Sequence, residues 1–146
     1  MTTGVEAFDK TIQKTNEWFK DLMYELNWDD QRQAYQAIRV VLQDLRDRLM
    51  VDEAVHLGAR LPMLVRGFYY EGWNPSRTPD RQIDREMLLA NIRNALGTQI
   101  GDADPEQVAR AVFKLLYHRV GSGESDDIKR VLPPDIEALW PRRTIH

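Results

Sequence analysis

An internal repeat is the feature of this sequence that most constrains its fold. Four apolar residues recur 74 positions further along the chain: Ala37, Ile38, Val41 and Leu42 correspond to Ala111, Val112, Leu115 and Leu116. Beyond them the offset is 71 positions, which aligns the Leu-Pro pair at residues 61–62 with the pair at residues 132–133. Two copies are too few for a solenoid, which usually needs three or more repeats. The repeat therefore predicts a helical bundle built from two related helical units with pseudo-twofold symmetry.

Within each unit the apolar residues follow the alternating three-and-four spacing of a helix face. In the first unit this spacing predicts helices at 8–26 and 30–49, a third capped by Asp52 that ends near residue 60, and a fourth from Pro62. In the second unit it predicts helices at 84–100, 105–120, 125–130 and 134–140. Asp104, Pro105 and Gln107 form a strong start signal, because such a cap satisfies the free amides of a first turn. Every predicted element is helical, so the predicted fold class is all-α.

The predicted fold occupies a single domain, residues 1–146. The first helical repeat covers residues 8–73 and the second covers residues 82–140. Residues 74–81 form a linker, because the surrounding run EGWNPSRTPDR combines two prolines and a glycine with no apolar periodicity. Residues 141–146 are predicted to form a frayed tail.

Charge and composition disfavour several classes of function. The 20 basic and 23 acidic residues give a net charge of −3, which leaves no excess positive charge for nucleic acid. No apolar run approaches the roughly 20 residues that cross a bilayer, and the first residues lack an export signal, so no membrane contact is predicted. The absence of cysteine excludes disulfides and is typical of a reducing compartment. A soluble, cytoplasmic protein is the simplest interpretation.

Two stretches carry a resemblance to a known family. They are residues 51–73, VDEAVHLGARLPMLVRGFYYEGW, and residues 131–140, VLPPDIEALW. Both resemble the bacterial family catalogued as domain of unknown function 2267, and the most specific string is LPxxxRxxYYEGW. The resemblance extends from about Trp18 to Trp140. It implies an all-helical fold of duplicated helical units, and it implies no activity or catalytic residue, because the family's name records that no function is established.

No pattern of reactive side chains predicts an enzyme, a cofactor site or a metal site. Glu53 and His56 have the spacing at which two metal ligands share a helix face. Carboxylate-bridged metal centres need two such motifs, however, and the second unit has Asp127 in the place of His56. The serines lie in polar turns, without the strand-to-helix setting of a hydrolase nucleophile. We therefore predict no catalytic residue, no cofactor and no metal ion.

Arginines of the second helix raise the question of a DNA-binding strip. Arg39, Arg46 and Arg48 alternate with Asp44 and Asp47. Interleaved charges of both signs predict a solvated, mutually paired surface rather than a groove reader.

The aromatic segment from Arg66 to Trp73 is the main candidate for binding. Tyr, Trp and Arg dominate the energetics of many protein contact surfaces. Arg66, Tyr70, Glu71 and Trp73 are therefore the predicted contact residues. The alternative is that Tyr70 and Trp73 cover the seam between the two repeats as part of the core.

These patterns favour a non-catalytic protein-interaction or adaptor module, with a protein partner or self-association. The alternative is a small-ligand-binding protein or an enzyme with a cavity between the two repeats, since gaps between helices are common pockets. A cavity lined by convergent Arg, Glu and Tyr groups favours the alternative. A flat, exposed aromatic patch of several hundred square ångströms favours the interaction module.

Overall fold

The computed structural model describes residues 2–142, which form an all-helical fold without β-strands in that range. The α-helices are α1 (Glu6–Leu26), α2 (Gln31–Arg48), α3 (Val51–Ala59), α4 (Met63–Tyr70), α5 (Arg85–Leu96), α6 (Pro105–Val120), α7 (Ser122–Val131) and α8 (Pro134–Glu137). Two short 3₁₀ helices, Pro75–Arg77 and Gly97–Ile100, lie on either side of α5. Residues 143–146 of the predicted tail lie outside the described residues.

Aspartate side chains cap three of the helices. At α6, Asp104 Oδ1 accepts a hydrogen bond from Gln107 N at 2.8 Å, and Gln107 Oε1 accepts one from Asp104 N at 2.9 Å. Asp30 and Asp84 cap α2 and α5, each with its carboxylate accepting from an amide of the first turn. These caps pair amides that have no partner within their own helix. The start signal predicted at Asp104, Pro105 and Gln107 is therefore confirmed.

Several helix boundaries differ from the prediction. The helix α3 begins at Val51 after Met50, so Asp52 lies inside the first turn and is not the cap. The helix α5 ends at Leu96, because Gly97 adopts a φ of 53° and the chain continues as a 3₁₀ helix. One continuous helix through residue 100 was therefore a wrong prediction. The helix α7 also begins earlier than predicted, and α8 ends earlier.

The helices α2 and α6 supply much of the core. They contact each other, α2 also packs against α1, α4 and α5, and α6 also packs against α1, α5 and α7. Their inward faces include fully buried side chains: Ala37, Ile38, Val41 and Leu42 in α2, and Val108, Ala109, Val112 and Leu116 in α6. Apolar positions of both predicted repeats thus meet in one cluster.

The Leu-Pro pairs have the same local role in both halves of the chain. Leu61 and Leu132 are buried, and Pro62 and Pro133 are the N-caps of α4 and α8. A proline disfavours helical geometry in the residue before it. Each pair therefore ends one helix and begins the next.

The described helices are also informative about membranes. The longest, α1, interleaves charged residues with its apolar stripe. Within residues 2–142, no helix has the length and apolar character that crossing a bilayer requires.

Candidate functional site

The predicted contact residues lie at the C-terminal end of α4, and α2 holds this end in place. Buried Arg46 donates from Nη1 to the carbonyl oxygens of Tyr69 and Glu71, at 2.8 and 2.9 Å. Gln43 Nε2 donates to Phe68 O at 2.8 Å. The last carbonyls of a helix have no partner within that helix. The two α2 side chains supply these partners and fix where α4 ends.

Tyr70 and Trp73 are half-buried and stack on each other. Their ring centroids are 5.5 Å apart, with 25° between the ring planes. Tyr70 covers Gly58 of α3, where an added Cβ atom would overlap the tyrosine hydroxyl oxygen. Trp73 Nε1 donates to Thr78 Oγ1 at 2.9 Å, which ties the end of α4 to the following segment. Each ring therefore packs on its own chain and keeps part of its surface in solvent.

Arg66 and Glu71, the other two predicted contact residues, are exposed. The Arg66 guanidinium caps the end of α3, with Nε donating to Gly58 O at 3.0 Å and Nη2 donating to Leu61 O at 2.9 Å. The Glu71 carbonyl is held by Arg46, while its side chain extends into solvent. These contacts bring Arg66, Tyr70 and Trp73 together beside α3, with much of their hydrogen-bonding capacity used within the chain. The Glu71 side chain does not take part in them.

Arg46 is a residue of this site that the charge pattern placed wrongly. The alternation with acidic residues predicts a solvated surface, whereas Arg46 is only 4% exposed. Its Nε pairs with Asp47 Oδ1 at 2.8 Å, in addition to the carbonyls at the end of α4. The sequence feature that could have indicated burial of Arg46 is its position directly after Leu45 of the apolar stripe. Its main acceptors are backbone oxygens, which every residue possesses, so the sequence cannot identify them.

Asp44 is a largely buried carboxylate where α2 packs on α5. Asn91 Nδ2 donates to Asp44 Oδ2 at 2.8 Å. Burial raises the pKa of Asp44 to about 6, and the neighbouring carboxylates of Asp47 and Asp80 add to the rise, against the lowering effect of the Asn91 bond. Burial has this effect because it disfavours the charged form of an acid. The charge of Asp44 is therefore coupled to the packing of α2 on α5.

A cleft of about 940 Å³ lies between the α1–α2 connection and the segment that leads into α6. Lys114 and Glu25 line it and are bonded to each other at 3.1 Å. Arg110 also lines it and donates from Nη1 to Ala138 O at 3.2 Å. The indole Nε1 of Trp28, another lining residue, is buried and finds no hydrogen-bond partner among residues 2–142. Charged groups from both predicted repeats therefore converge on this cleft.

The pair with metal-ligand spacing, Glu53 and His56, lines a smaller cleft of about 360 Å³. Glu124 and Asp127 of α7 line the same cleft, because α3 contacts α7. In the described part of the chain, no three potential metal-ligating side chains are close enough together to hold an ion. We therefore propose no metal centre there.

An exposed apolar surface lies where α1 and α4 begin. Five apolar side chains contribute to it, with exposures between 38% and 49%: Val5, Phe8, Ile12, Met63 and Leu64. The amide of Leu64 donates to Thr11 Oγ1 at 2.9 Å, which holds the two helix segments against each other. We call these five residues the α1–α4 face.

A groove of about 430 Å³ adjoins the α1–α4 face. Its apolar lining comes from α1, α2 and α4: Ile12, Phe19, Tyr35, Leu64 and Phe68. Gly67 also lines it, and a Cβ atom at Gly67 would meet no atom within 4 Å, so the space above this glycine is open. Glu71 lines the groove as well. The groove therefore connects Glu71, one of the four predicted contact residues, to the α1–α4 face.

Helical periodicity alone did not reveal this face. Phe8 and Ile12 continue the stripe of Trp18 and Leu22, which are buried, so the pattern assigns all four to the same side of one helix. The core begins only at Thr15, and most residues of the earlier turns are exposed. Periodicity shows which side of a helix is apolar, but not how far along the helix its neighbours extend.

Comparison with known protein families places most of the chain in one family. No curated protein matches the chain in sequence. Residues 15–139 match the family described as uncharacterized conserved protein (DUF2267). The match covers most of the chain and confirms the resemblance carried by the LPxxxRxxYYEGW string and the second Leu-Pro ending. This chain therefore belongs to the DUF2267 family of uncharacterized conserved proteins.

Proposed function

We propose that this protein is a non-catalytic protein-interaction module whose main contact surface is the α1–α4 face. The observation that carries the proposal is the presence of five partly exposed apolar side chains at the starts of α1 and α4, which the hydrogen bond from Leu64 to Thr11 holds together. Contiguous apolar patches larger than a few hundred Å² are uncommon on soluble monomers, and the largest patch of a protein is often functional. The net charge of −3 supports a protein partner over a nucleic acid.

The residues predicted from sequence form the border of this surface in our proposal. Glu71 lines the groove beside the α1–α4 face. Tyr70 and Trp73 offer partly exposed rings at the end of the same helix, while the Arg66 guanidinium is bonded to α3. A partner seated on the α1–α4 face would reach Glu71 first.

The non-catalytic part of the proposal is supported by how the buried polar groups are used. Tyr69 Oη donates to Ala54 O at 2.7 Å, and burial raises the pKa of this hydroxyl above its ordinary value. Arg46 bonds to backbone carbonyls and Asp44 bonds to Asn91. Catalysis needs several polar groups that converge on a substrate, whereas these groups join one helix to another.

Affinity capture from the native host tests the interaction proposal. The bait proteins are the wild type, Phe8→Lys with Leu64→Lys, Tyr70→Ala with Trp73→Ala, and Tyr24→Lys as a control on α1. Tyr24 is 89% exposed and lies outside the α1–α4 face. We expect a specific protein or a second copy of the chain to be retained by the wild type and the control, and lost from the Phe8 and Leu64 variant. Loss confined to the Tyr70 and Trp73 variant would place binding at the end of α4 instead. If the wild type captures neither a specific protein nor a second copy of the chain, the result contradicts the proposal.

A second candidate function is the binding of a small ligand in the cleft between the repeats. A volume of about 940 Å³ is within the usual range of ligand sites, roughly 300–1,000 Å³. The buried Trp28 Nε1, unpartnered among residues 2–142, supplies a donor in its wall. Lys114 and Arg110 supply cationic groups that a ligand with acceptor oxygens would share with Glu25 and Ala138.

Thermal-shift screening with small carboxylate and phosphate compounds tests this second candidate. A ligand present at about a hundred times its Kd should stabilise the fold by about 2.7 kcal/mol and raise the melting temperature by several degrees. The shift should be lost in Lys114→Ala and kept in Lys20→Ala, an exposed lysine outside the cleft lining. An equal shift in both variants would place the ligand elsewhere.

We also propose that α1–α4 and α5–α8 arose by duplication and share one domain, in a reducing compartment that suits a chain without cysteine. Equivalent hydrogen bonds support the duplication. Tyr69 Oη donates to Ala54 O, and Trp140 Nε1 donates to Ser125 Oγ at 3.0 Å. Both the donors and the acceptors of these bonds are 71 positions apart. The helix contacts support it as well, because α1 packs on α6 as α5 packs on α2.

A further inference from the structure

We propose that the α1–α4 face is covered by a second copy of this chain, so that the protein forms a twofold-symmetric dimer. This inference rests on the proposed function, because it names the partner of the same surface. Three observations carry it: the apolar area, the shape of the face and groove, and the distribution of charge around them.

The apolar area is of the size that a small dimer interface requires. Five side chains that are roughly half exposed offer on the order of 400 Å² of apolar surface per copy. Two copies then bury about 800 Å² of apolar surface. If apolar atoms make up about 60% of the interface, the total surface buried by the two copies is about 1,300 Å², near the lower end of the range for specific interfaces. A dimer through this face should therefore form reversibly, with an affinity that depends on few contacts.

The face and the groove are arranged so that the surface complements itself. Ile12 belongs to both the α1–α4 face and the groove. Along α1, Phe8 of the face lies one turn before Ile12, and Asn16 of the groove wall lies one turn after it. At 1.5 Å per residue, Phe8 and Asn16 each lie about 6 Å from Ile12 along the helix. A twofold axis beside Ile12, with the two α1 helices antiparallel, places Phe8 of each copy over the groove of the other. Such a self-complementary patch is what a twofold interface requires.

Charge around the groove favours a second copy over a strongly charged partner. Glu71 is the one charged residue among those that line the groove in the described chain. On the exposed turns of α1, Glu6 and Lys10 already pair with each other at 2.9 Å. The groove lining is therefore uncharged apart from the exposed Glu71, and the Phe8 ring of another copy adds no charge to it.

Two single substitutions test the proposal from opposite sides of the interface. Phe8→Lys removes the projecting ring, and Gly67→Glu places a charged side chain in the open space of the groove. Neither residue contributes to the core, so circular dichroism should show unchanged helicity. Sedimentation velocity from roughly 1 to 300 μM should show a concentration-dependent dimer for the wild type and for Tyr24→Lys, and a monomer for each test variant.

Mixing the Phe8→Lys and Gly67→Glu variants gives the decisive measurement. In a mixed dimer, the introduced ammonium group would meet the introduced carboxylate at one contact, and the second contact would be wild type. We expect the mixture to form a dimer at concentrations where each variant alone is monomeric, with the recovery weakened by high salt. A wild type that stays monomeric at every concentration overturns the second-copy proposal. If the wild type is monomeric but captures another protein, and Phe8→Lys abolishes that capture, the interaction module stands with a different partner. If the wild type captures nothing, both proposals fail.

Discussion

At the scale of single residues, Arg46 shows how a charged side chain can belong to a core. A buried guanidinium is tolerated only when its donors are paired. Arg46 pairs with the Asp47 carboxylate and with the carbonyls of Tyr69 and Glu71. The side chain therefore joins α2 to the end of α4 and orients the segment that carries the predicted contact residues.

Truncation of Arg46 should be costly. Arg46→Ala leaves the buried Tyr69 carbonyl without its donor and Asp47 without its counter-ion, so we expect a loss of about 2–4 kcal/mol in the free energy of unfolding. Urea denaturation measures the loss. Arg130→Ala is the control, because the Arg130 side chain is 73% exposed and its pair with Asp127 should contribute less than about 1 kcal/mol. Similar small losses at both positions would show that the Arg46 bonds contribute little.

Asp44 should make the stability of the fold depend on pH. An aspartate in an unfolded chain has a pKa of about 3.9, and burial raises the pKa of Asp44 to about 6. Folding therefore favours the neutral acid, and its contribution to stability is complete below about pH 4 and is lost as the pH rises through about 6. We expect Asp44→Asn, which is neutral at all these pH values, to exceed the wild type by about 1–2 kcal/mol above pH 7 and by less at pH 4.

Urea denaturation of both proteins between about pH 4 and pH 8 checks this expectation. The exposed Asp29→Asn is the matched control and should leave the pH profile unchanged. Parallel profiles for the wild type and Asp44→Asn would mean that Asp44 is not the group responsible.

At the scale of elements, α3 and α4 fit together through a glycine. Tyr70 of α4 lies directly over Gly58 of α3, and its ring also contacts Tyr69, at a centroid distance of 4.9 Å, and stacks on Trp73. The lack of a side chain at Gly58 therefore lets the aromatic end of α4 pack close to α3. This contact decides how much of Tyr70 and Trp73 remains exposed.

The two glycines of these helices should respond to alanine in opposite ways. Alanine in a helix interior is normally more stable than glycine by about 1 kcal/mol, and Gly67→Ala, with open space around it, should show this gain when measured in dilute, monomeric protein. Gly58→Ala must displace Tyr70 and should instead cost about 1–3 kcal/mol. In a Tyr70→Ala background the cost of Gly58→Ala should disappear. If Gly58→Ala still lowers the stability in the Tyr70→Ala background, the added methyl group conflicts with the backbone and not with the tyrosine.

At the scale of the whole molecule, the buried helices of the two predicted repeats pack on each other. The helix α2 contacts α5, and α1 contacts α6. Arg119 of α6 and Asp21 of α1 form an ion pair at 2.6 Å. Residues from both repeats form one continuous apolar cluster. Neither half can therefore bury its helix faces without the other.

The protein should accordingly unfold in one cooperative transition. Leu42 and Leu116 correspond in the predicted repeats, 74 positions apart, and both are fully buried. Leu42→Ala and Leu116→Ala should each lower the stability of the same transition by about 2–5 kcal/mol. Circular dichroism and tryptophan fluorescence should report coincident curves for each variant. Two separate transitions, each sensitive to only one substitution, would contradict a shared core.

Much of the local structure follows from the sequence, because it depends on neighbours along the chain. The all-helical character comes from apolar spacing, and the starts of α2, α5 and α6 come from the capping chemistry of Asp30, Asp84 and Asp104. The Leu-Pro pairs end and begin helices through the fixed geometry of proline. The family resemblance rests on the same strings of residues.

Tertiary structure alone decided which side chains meet and which remain in solvent. Arg46 is buried because carbonyls of α4 lie opposite it, and Asp44 has a raised pKa because α5 covers it. Phe8 is exposed because, within residues 2–142, the buried part of α1 begins only at Thr15, although the apolar periodicity places Phe8 on the same helix face as buried Trp18. The physical reason is that periodicity records the polarity of one helix, whereas burial depends on the distant segments packed against it.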